Sequence, residues 1–253
     1  MRRIPRALAV VIAAVGATPA LALGVCVEGT YPPFSEIRDD GTIVGFDIDI
    51  ANALCAEVGE TCTFVPTEWS RMIPALVGGT CDVIIASMSD TPERRALIDF
   101  TDRYYRAHVR FVGRAAAGLG DAPEAMAGVT VGVQRDTVNE AFMTVHYPET
   151  PLKLYGNQEH VLIDLALGRL DAVLGEAAQL DAGFLKTPAG EGFAFFGGSH
   201  FDPAIQGTGA AIGVRKADTG LRDRLSAAIA AIRADGTYQA IGARYFDFDI
   251  YGG

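Results

Sequence analysis

The chain of 253 residues is poor in the residues that carry most metal chemistry. It has only four histidines, which are far apart, and no cysteine or carboxylate stands at ligand spacing from them. A protein zinc site requires such a cluster of ligands. We therefore interpret the histidines as surface or loop residues, and we predict no metal site and no cofactor. The four are His108, His146, His160 and His200.

The common catalytic signatures are missing as well. The sequence has no G-x-S-x-G elbow, no G-x-x-x-x-G-K-[ST] phosphate loop and no H-E-x-x-H motif. The segment 207–213 resembles a dinucleotide-binding fingerprint with one residue too many, and it enters a strand pattern instead of opening a helix. The sequence therefore predicts no catalytic residue and a protein that is not an enzyme.

Positive charge is scarce. The chain has 21 lysines and arginines against 31 aspartates and glutamates, a formal net charge of -10. Three of those arginines lie within the first six residues, so the chain without that segment is more acidic still. An acidic surface repels polyanions and attracts cations. We therefore expect a cationic partner and no binding of nucleic acid.

Long apolar runs are limited to one, Ala7–Ala17, which is too short to span a bilayer. It follows an arginine-rich start and precedes Ala20 and Ala22, which fit an A-x-A cleavage site. The segment is typical of a secretory signal peptide. We predict a signal peptide over residues 1–22, cleavage after Ala22 and export of the mature protein.

The four cysteines of an exported chain favour disulfides over metal ligation. Cys55 comes late in a predicted helix and Cys62 opens the next strand, so we expect these two to pair. Cys26 and Cys81 each lie in an apolar, strand-like run, and a second bridge is possible if those strands are neighbours. Buried free thiols remain the alternative for both pairs.

Apolar runs bounded by turns alternate with segments of helical period, a pattern that predicts an α/β protein with parallel sheets. Apolar residues recur at helical spacing between Phe46 and Val58 and between Val161 and Leu167. These two segments are predicted to be crossover helices. The predicted strands are 24–28, 62–66, 82–87, 129–134, 152–155 and 171–175.

Two similar segments of the sequence predict two lobes. The segments 73–89 and 165–176 both run from helix to glycine, aspartate, apolar strand and small-residue turn. Each half is therefore expected to hold its own βαβ sheet. We predict lobe I over residues 23–106 and 200–253, and lobe II over residues 107–199.

Two extended crossings are expected between these lobes, one over Tyr104–Gly113 and one near Phe195–Gln206. The chain then returns to lobe I and ends in two predicted helices, Thr219–Ala234 and Thr237–Phe246. Two crossings form a hinge, and a hinge between two lobes creates a cleft.

A ligand of an open α/β sheet lies outside the carboxyl ends of the strands, so the residues just after each apolar run are candidates for binding. In this sequence those positions are rich in polar and aromatic side chains. The candidate ligand-binding residues are Glu28, Tyr31, Trp69, Ala86, Ser87, Met88, Ser89, Arg94, Gln134, Val138, Asn139 and Glu176.

Thr91 and the proline after it are typical of a helix start, which puts Arg94 in the first turn. A guanidinium there can clamp a carboxylate with two hydrogen bonds. The alternative for Arg94 is a surface salt bridge with Glu93 or Asp99, and Arg95 is the fallback candidate.

Asp136 and Thr137 open another predicted helix. The free backbone N–H groups of Val138 and Asn139 could grip the same carboxylate. Simple helix capping is the alternative interpretation of this segment.

Several motifs together resemble a known family. They are Glu28-x-x-Tyr31-x-Pro-Phe34, Gly45-Phe-Asp-Ile-Asp49, Ala86-Ser-Met-Ser89-x-Thr-x-x-Arg94, Gly168-Arg-Leu-Asp171 and Asp235-Gly-Thr-Tyr238. This set is similar to the periplasmic polar amino acid binding proteins of ABC importers, family 3 of the solute-binding proteins, and especially to the lysine/arginine/ornithine and histidine group. The resemblance implies the type II periplasmic binding protein fold, with two similar βαβ lobes joined by a two-strand hinge.

The resemblance also implies roles for single residues. Arg94 would bind the ligand's α-carboxylate and Glu176 its α-ammonium, while Glu28 would meet a distal positive charge. Tyr31 and Trp69 stand where the family sandwiches the ligand side chain between two rings, which also suits a cation. The remaining carry-over assigns Ser87 and Ser89 to the α-amino and carboxylate groups, and the backbone of Val138 and Asn139 to the carboxylate.

The sequence departs from the family at several positions. Glu176 stands where an aspartate is usual, Asp136 replaces a glycine, Val138 replaces a threonine and Ala86 replaces a serine. These changes put the identity of the ligand in question more than its class.

The resemblance therefore predicts the substrate-binding component of an ABC importer. It would trap a cationic L-amino acid (arginine, lysine, ornithine or histidine), act as a monomer and deliver its ligand to an inner-membrane ABC permease. The alternatives within binding proteins are an opine, a guanidino compound or a polar neutral amino acid, and a sensor role instead of transport. A periplasmic dehydratase-type enzyme on the same fold is the alternative from another class.

Overall fold

The computed structural model describes residues 22–106 and 108–252. The predicted signal peptide thus lies outside the described residues except for Ala22, the first residue of the first strand. Among the residues described, no helix has the length and hydropathy of a bilayer-spanning segment.

Strands and helices alternate along most of the chain. The strands are β1 (Ala22–Val27), β2 (Thr30–Tyr31), β3 (Ser35–Ile37), β4 (Ile43–Val44), β5 (Thr61–Pro66), β6 (Val83–Ile84), β7 (Asp99–Tyr105), β8 (Val109–Arg114), β9 (Val131–Gln134), β10 (Leu152–Tyr155), β11 (Ala172–Glu176), β12 (Phe193–His200) and β13 (Ala210–Val214). The helices are α1 (Phe46–Glu57), α2 (Met72–Val77), α3 (Pro92–Arg95), α4 (Pro123–Met126), α5 (Val138–His146), α6 (Gln158–Ala166), α7 (Ala177–Leu180), α8 (Pro203–Gln206), α9 (Thr219–Ala234) and α10 (Thr237–Gly242).

Ten of the described strands form two five-stranded sheets, one in each of two lobes, and β2, β3 and β4 form a small antiparallel sheet. The sheet of the first lobe has the order β5-β1-β6-β13-β7, and that of the second has the order β10-β9-β11-β8-β12. In the first sheet β5, β1 and β6 run parallel, and β13 runs antiparallel to its neighbours β6 and β7. In the second sheet β10, β9 and β11 run parallel, and β8 runs antiparallel to its neighbours β11 and β12. The α/β class and the two-lobed fold expected from the sequence are confirmed.

Apolar side chains are buried on both faces of each sheet, as expected for parallel strands covered by helices. In the first lobe, Val25 of β1 packs with Leu54 of α1 and Ile229 of α9. In the second, Val173 of β11 packs with Val161 and Leu165 of α6. Leu54, Val161 and Leu165 belong to the helically spaced apolar residues that predict the two crossover helices.

The chain passes between the sheets twice. The expected crossing over 104–113 is divided between β7, in the first sheet, and β8, in the second. The return falls between β12 and β13, with the short helix α8 between them. The strand predicted over 82–87 is shorter than expected because the backbone turns at Ser87, whose φ of 54° is incompatible with an extended strand.

The expected cysteine pair and the possible second pair are both joined. Cys26 of β1 is bonded to Cys81, which lies just before β6, and Cys55 of α1 is bonded to Cys62 of β5. The alternative of buried free thiols therefore does not apply to this structure.

Candidate ligand-binding site

A cavity lies between the two lobes, at the carboxyl ends of the parallel strands. Eleven of the twelve candidates from the sequence line it. Its lining residues are Glu28, Tyr31, Trp69, Ala86, Ser87, Ser89, Arg94, Tyr105, Val109, Gln134, Thr137, Val138, Asn139 and Glu176.

Met88 is the candidate that does not line this cavity. Its side chain is 1% exposed and packs with Ile98 and Phe100 in the core of the first lobe. Ala86, Ser87 and Ser89 line the cavity whereas Met88 faces the core, so the predicted ligand contact for Met88 is unsupported.

Three lining residues were absent from the candidate set. Tyr105 and Val109 lie in the segment 104–113, which is predicted to join the lobes. That position is the sequence feature that points to a place beside the cleft. The sequence predicts Thr137 only at the start of a helix. It does cap α5, since its hydroxyl oxygen accepts the N–H of Glu140 at 3.4 Å, but its side chain also reaches the cavity.

Local capping positions Arg94. The hydroxyl of Thr91 accepts the backbone N–H of Arg94 at 3.3 Å and starts α3 as expected. The Arg94 guanidinium donates to the carbonyl oxygens of Ser89 at 2.9 Å and Asp136 at 3.2 Å, and it makes no salt bridge with Glu93 or Asp99. Burial lowers the pKa of Arg94 to about 10, so it stays charged at neutral pH.

Arg95 has a different role. It forms salt bridges with Asp90 and Asp99 on the outside of α3. Arg95 thus forms the kind of surface salt bridge that was the alternative to ligand binding for Arg94. The fallback candidate therefore does not reach the cavity.

Glu28 is held from across the cleft. It follows β1 in the first lobe, and its carboxylate accepts a hydrogen bond of 2.5 Å from the side-chain amide of Gln134, at the end of β9 in the second lobe. Both side chains are buried. Burial raises the pKa of the Glu28 carboxyl to about 7, although the bond from Gln134 opposes this effect.

Glu176 is held by the backbone of its own lobe. It ends β11 and caps α7, where its two carboxylate oxygens accept the N–H groups of Ala178 at 3.1 Å and Gln179 at 2.8 Å. Burial raises the pKa of this carboxyl to about 7 against the opposing effect of the two bonds, and nearby Asp47 raises it further.

Aromatic rings form another part of the cavity wall. Tyr31 and Tyr105 both pack on Phe34, with ring centroids 5.6 and 5.2 Å from it. The Arg94 guanidinium lies 5.1 Å from the centroid of the Trp69 ring, a cation–π distance. The rings thus give the cavity rigid apolar surfaces beside its charged groups.

A family model for bacterial extracellular solute-binding proteins, family 3, matches residues 23–248. The chain belongs to this family.

Relatives of this solute-binding protein are similar over almost the whole chain. The L-arginine-binding protein of Pseudomonas aeruginosa is 41% identical over 228 residues, which cover 89% of this chain and 88% of the relative. The histidine-binding periplasmic protein of Escherichia coli is 36% identical over 260 aligned residues that cover both chains completely. A solved Salmonella typhimurium periplasmic binding protein, described as highly specific for arginine, matches with a TM-score of 0.82 and 28% identity over 90% of this chain and all of its own.

The lobes of this solute-binding protein touch each other around the cavity. The indole N–H of Trp69 donates to the backbone oxygen of Asp136 at 2.9 Å, the oxygen that also accepts from Arg94. The amide of Gln179 donates to the carbonyl oxygen of Pro32 at 3.2 Å. With the bond between Glu28 and Gln134, these contacts show that the two lobes are closed on each other.

Asp136 adopts a conformation that is uncommon for its residue type. Its φ of 60° lies in the left-handed region, where glycine is favoured. Asp136 is also one of the positions at which the sequence departs from the family, where a glycine is usual. In this conformation its carbonyl oxygen accepts both Trp69 and Arg94 of the other lobe.

Proposed function

We propose that this solute-binding protein traps a cationic L-amino acid between its lobes, as the substrate-binding component of an ABC importer. The observation that carries the proposal is the charge pattern of the cavity. It contains two buried carboxylates, Glu28 and Glu176, and one guanidinium, Arg94. A cationic amino acid carries one carboxylate and two positive groups, so its charges complement all three side chains.

Each charged group has a distinct part in this proposal. Arg94 binds the α-carboxylate, Glu176 binds the α-ammonium and Glu28 binds the positive side-chain group. Buried charges are tolerated when each is paired and hydrogen-bonded. Arg94 and Glu28 belong to the first lobe and Glu176 to the second, so a ligand bound to all three favours the closed state over the open one.

The other residues that line the cavity suit the same orientation of the ligand. Tyr31 and Trp69 offer ring faces to the ligand side chain, and Ser87 and Ser89 lie beside the proposed α-amino and carboxylate positions. In the second lobe, the backbone N–H groups of Val138 and Asn139 are at the start of α5, where they suit an anion.

The relatives support the ligand class, since one is named for arginine and another for histidine. Arginine, lysine, ornithine and histidine are therefore the proposed ligands. We further propose that the protein is not an enzyme, works as a monomer in the periplasm after cleavage behind Ala22, and delivers its ligand to an inner-membrane ABC permease. The proposed lobe boundaries are 23–106 with 200–253, and 107–199; the change of sheet between β7 and β8 supports them.

The experiment that tests this function is a binding titration of protein that has been unfolded, stripped of ligand and refolded. We expect at least one of the four cationic amino acids to bind with a dissociation constant near or below micromolar, which corresponds to about 8 kcal/mol. Glutamine and glutamate serve as neutral and anionic comparisons. Binding of an opine, another guanidino compound or glutamine in preference to all four would contradict the cationic amino acid assignment.

The substitution Arg94→Ala tests the carboxylate contact. It should abolish binding of every α-amino acid while the far-UV circular dichroism stays unchanged. Arg95→Ala is the matched control because Arg95 is next in sequence and pairs outside the cavity, so it should leave affinity nearly unchanged. Retained affinity in Arg94→Ala would refute the role of Arg94.

A further inference from the structure

Behind the cavity wall lies a carboxylate that is completely buried. Asp47, the second residue of α1, is 0% exposed and does not line the cavity. One of its oxygens accepts the hydroxyl of Tyr104 at 2.8 Å, and the other accepts the hydroxyl of Ser87 at 2.9 Å. Ser87 does line the cavity, so Asp47 is one hydrogen bond away from the proposed ligand position.

A third hydrogen bond closes these residues into a ring. The backbone N–H of Ser87 donates to the hydroxyl oxygen of Tyr104 at 2.8 Å. Ser87 has a φ of 54°, in the left-handed region that costs free energy for a residue other than glycine. Such a conformation persists only when its surroundings enforce it, and the ring with Asp47 and Tyr104 supplies two bonds that do so.

When Asp47 is ionised, the ring also fixes the direction of the hydroxyl protons. Burial raises the pKa of this carboxyl to about 7 against the opposing bonds from Tyr104 and Ser87, so the arrangement holds above that pH. The Tyr104 hydroxyl has one proton and accepts from Ser87, so its own proton points to Asp47. The Ser87 hydroxyl donates its single proton to Asp47 as well. A serine hydroxyl has one donor and two acceptor positions. With its proton committed, Ser87 has only lone pairs left, and it can accept a hydrogen bond from a ligand but cannot donate one.

We propose that Asp47 is a positioning residue that turns Ser87 into an acceptor for the α-ammonium group of the bound amino acid. This inference rests on the proposed function. An ammonium group has three donors and no acceptor. Glu176 of the second lobe provides one acceptor, and Ser87 of the first lobe provides another. Asp47 thereby selects α-amino acids against analogues whose α-substituent needs a donor.

The substitution Asp47→Asn tests the proposal. An asparagine amide can donate to the Ser87 oxygen, which frees the serine proton to point into the cavity. Titrations compare L-arginine with its 2-hydroxy analogue, which has a hydroxyl in place of the α-ammonium. We expect the affinity for arginine to fall about tenfold or more, as for the loss of one hydrogen bond to a charged group, and the affinity for the hydroxy analogue to change much less.

The ratio of these two affinities separates recognition from a merely structural role. A general weakening of the fold lowers both affinities alike, so equal losses in Asp47→Asn would overturn the proposal. Ser87→Ala should lower arginine affinity in the wild type but add little in the Asp47→Asn background, because the two residues act through one contact. Additive losses would also overturn it.

Two further variants keep the test decisive. Asp49→Asn is the matched control, since Asp49 lies two residues further along α1 and pairs with Tyr245 and Arg244 outside the cavity; it should leave the ratio unchanged. If Asp47→Asn does not fold, Ser87→Gly removes the acceptor hydroxyl at a φ of 54° that glycine tolerates, and it should shift the ratio in the same direction. Failure of the wild type to bind any amino acid would overturn the proposed function itself, whereas an unchanged ratio beside normal wild-type binding would overturn the role of Asp47 alone.

Discussion

At the scale of single residues, the two cavity carboxylates are stabilised in different ways. Glu28 depends on a side-chain amide of the opposite lobe, whereas Glu176 depends on backbone N–H groups of its own helix. In both cases burial outweighs these bonds and raises the carboxyl pKa to about 7. The carboxylates are thus incompletely paired by the protein, and a cationic ligand can supply the missing partner.

Removing the charge of Glu28 should change selectivity. Glu28→Gln is expected to lower the affinity for arginine and lysine by roughly tenfold or more, because a charge-assisted hydrogen bond is lost. The affinity for glutamine should change little. The measurement is a titration of each variant with all three ligands. Glu36→Gln, an exposed carboxylate of β3, is the control. Equal losses for charged and neutral ligands would remove Glu28 from side-chain recognition.

Trp69 is the only tryptophan of the chain, and its indole bridges the lobes at Asp136. Trp69→Phe keeps an aromatic face but removes the donor, so we expect affinity to fall by about two- to tenfold through faster dissociation. Trp69→Leu removes the ring as well and should cost more. Calorimetric titration checks both variants, and equal affinities for the phenylalanine variant and the wild type would show that this bond does not contribute to closure.

At the scale of elements, the ends of parallel strands place the charged groups. Glu28 follows β1, Gln134 ends β9 and Glu176 ends β11, and these strands all point their carboxyl ends at the cleft. The two disulfides join elements around β1. One ties β1 to the segment before β6, and the other ties α1 to β5.

The two disulfides should contribute unequally to stability. Cys26–Cys81 spans a sequence separation of 55 residues and Cys55–Cys62 one of 7. Loop-closure entropy assigns about 3 kcal/mol to a 15-residue loop and about 4.7 kcal/mol to a 100-residue loop, so the longer one restricts the unfolded chain more. We expect the free energy of unfolding in urea to fall further in Cys26→Ala/Cys81→Ala than in Cys55→Ala/Cys62→Ala. The reverse order would show that packing around the shorter bridge outweighs chain entropy.

At the scale of the whole molecule, lobe closure and ionisation are coupled. Glu28 and Glu176 belong to opposite lobes, and the closed arrangement buries both. In the unfolded chain these carboxyls ionise near their ordinary pKa of 4.5, and in the closed fold near 7. Between these two values the folded state therefore binds more protons than the unfolded state.

The sign of the pH dependence follows from this difference. As pH rises from about 4.5 to about 7, the ligand-free protein should lose stability from these groups, and above 7 their effect should level off. A cationic ligand binds the ionised forms, so the rise in melting temperature caused by arginine should be larger at pH 8 than at pH 5.5. Thermal unfolding with and without arginine at both pH values checks this, and Glu28→Gln should reduce the dependence. A shift independent of pH would contradict the prediction.

The sequence by itself determined the α/β class and the two lobes, along with most of the residues that line the cleft. These signals are local: an apolar run predicts a strand, a glycine ends a helix, and Thr91 with its proline starts one that carries Arg94. Even so, the sequence could not tell that Met88 faces the core, because the pattern around Ser87 does not reveal which side of the segment is covered.

Only the tertiary structure decided which of these residues meet. Glu28 and Gln134 are 106 positions apart, and Trp69 and Asp136 are 67 positions apart, and each pair joins the two lobes. The ring of Asp47, Ser87 and Tyr104 likewise brings a helix, a turn and a strand together. Such contacts depend on how the two lobes and their elements pack in space, and a local pattern of side chains does not determine that packing.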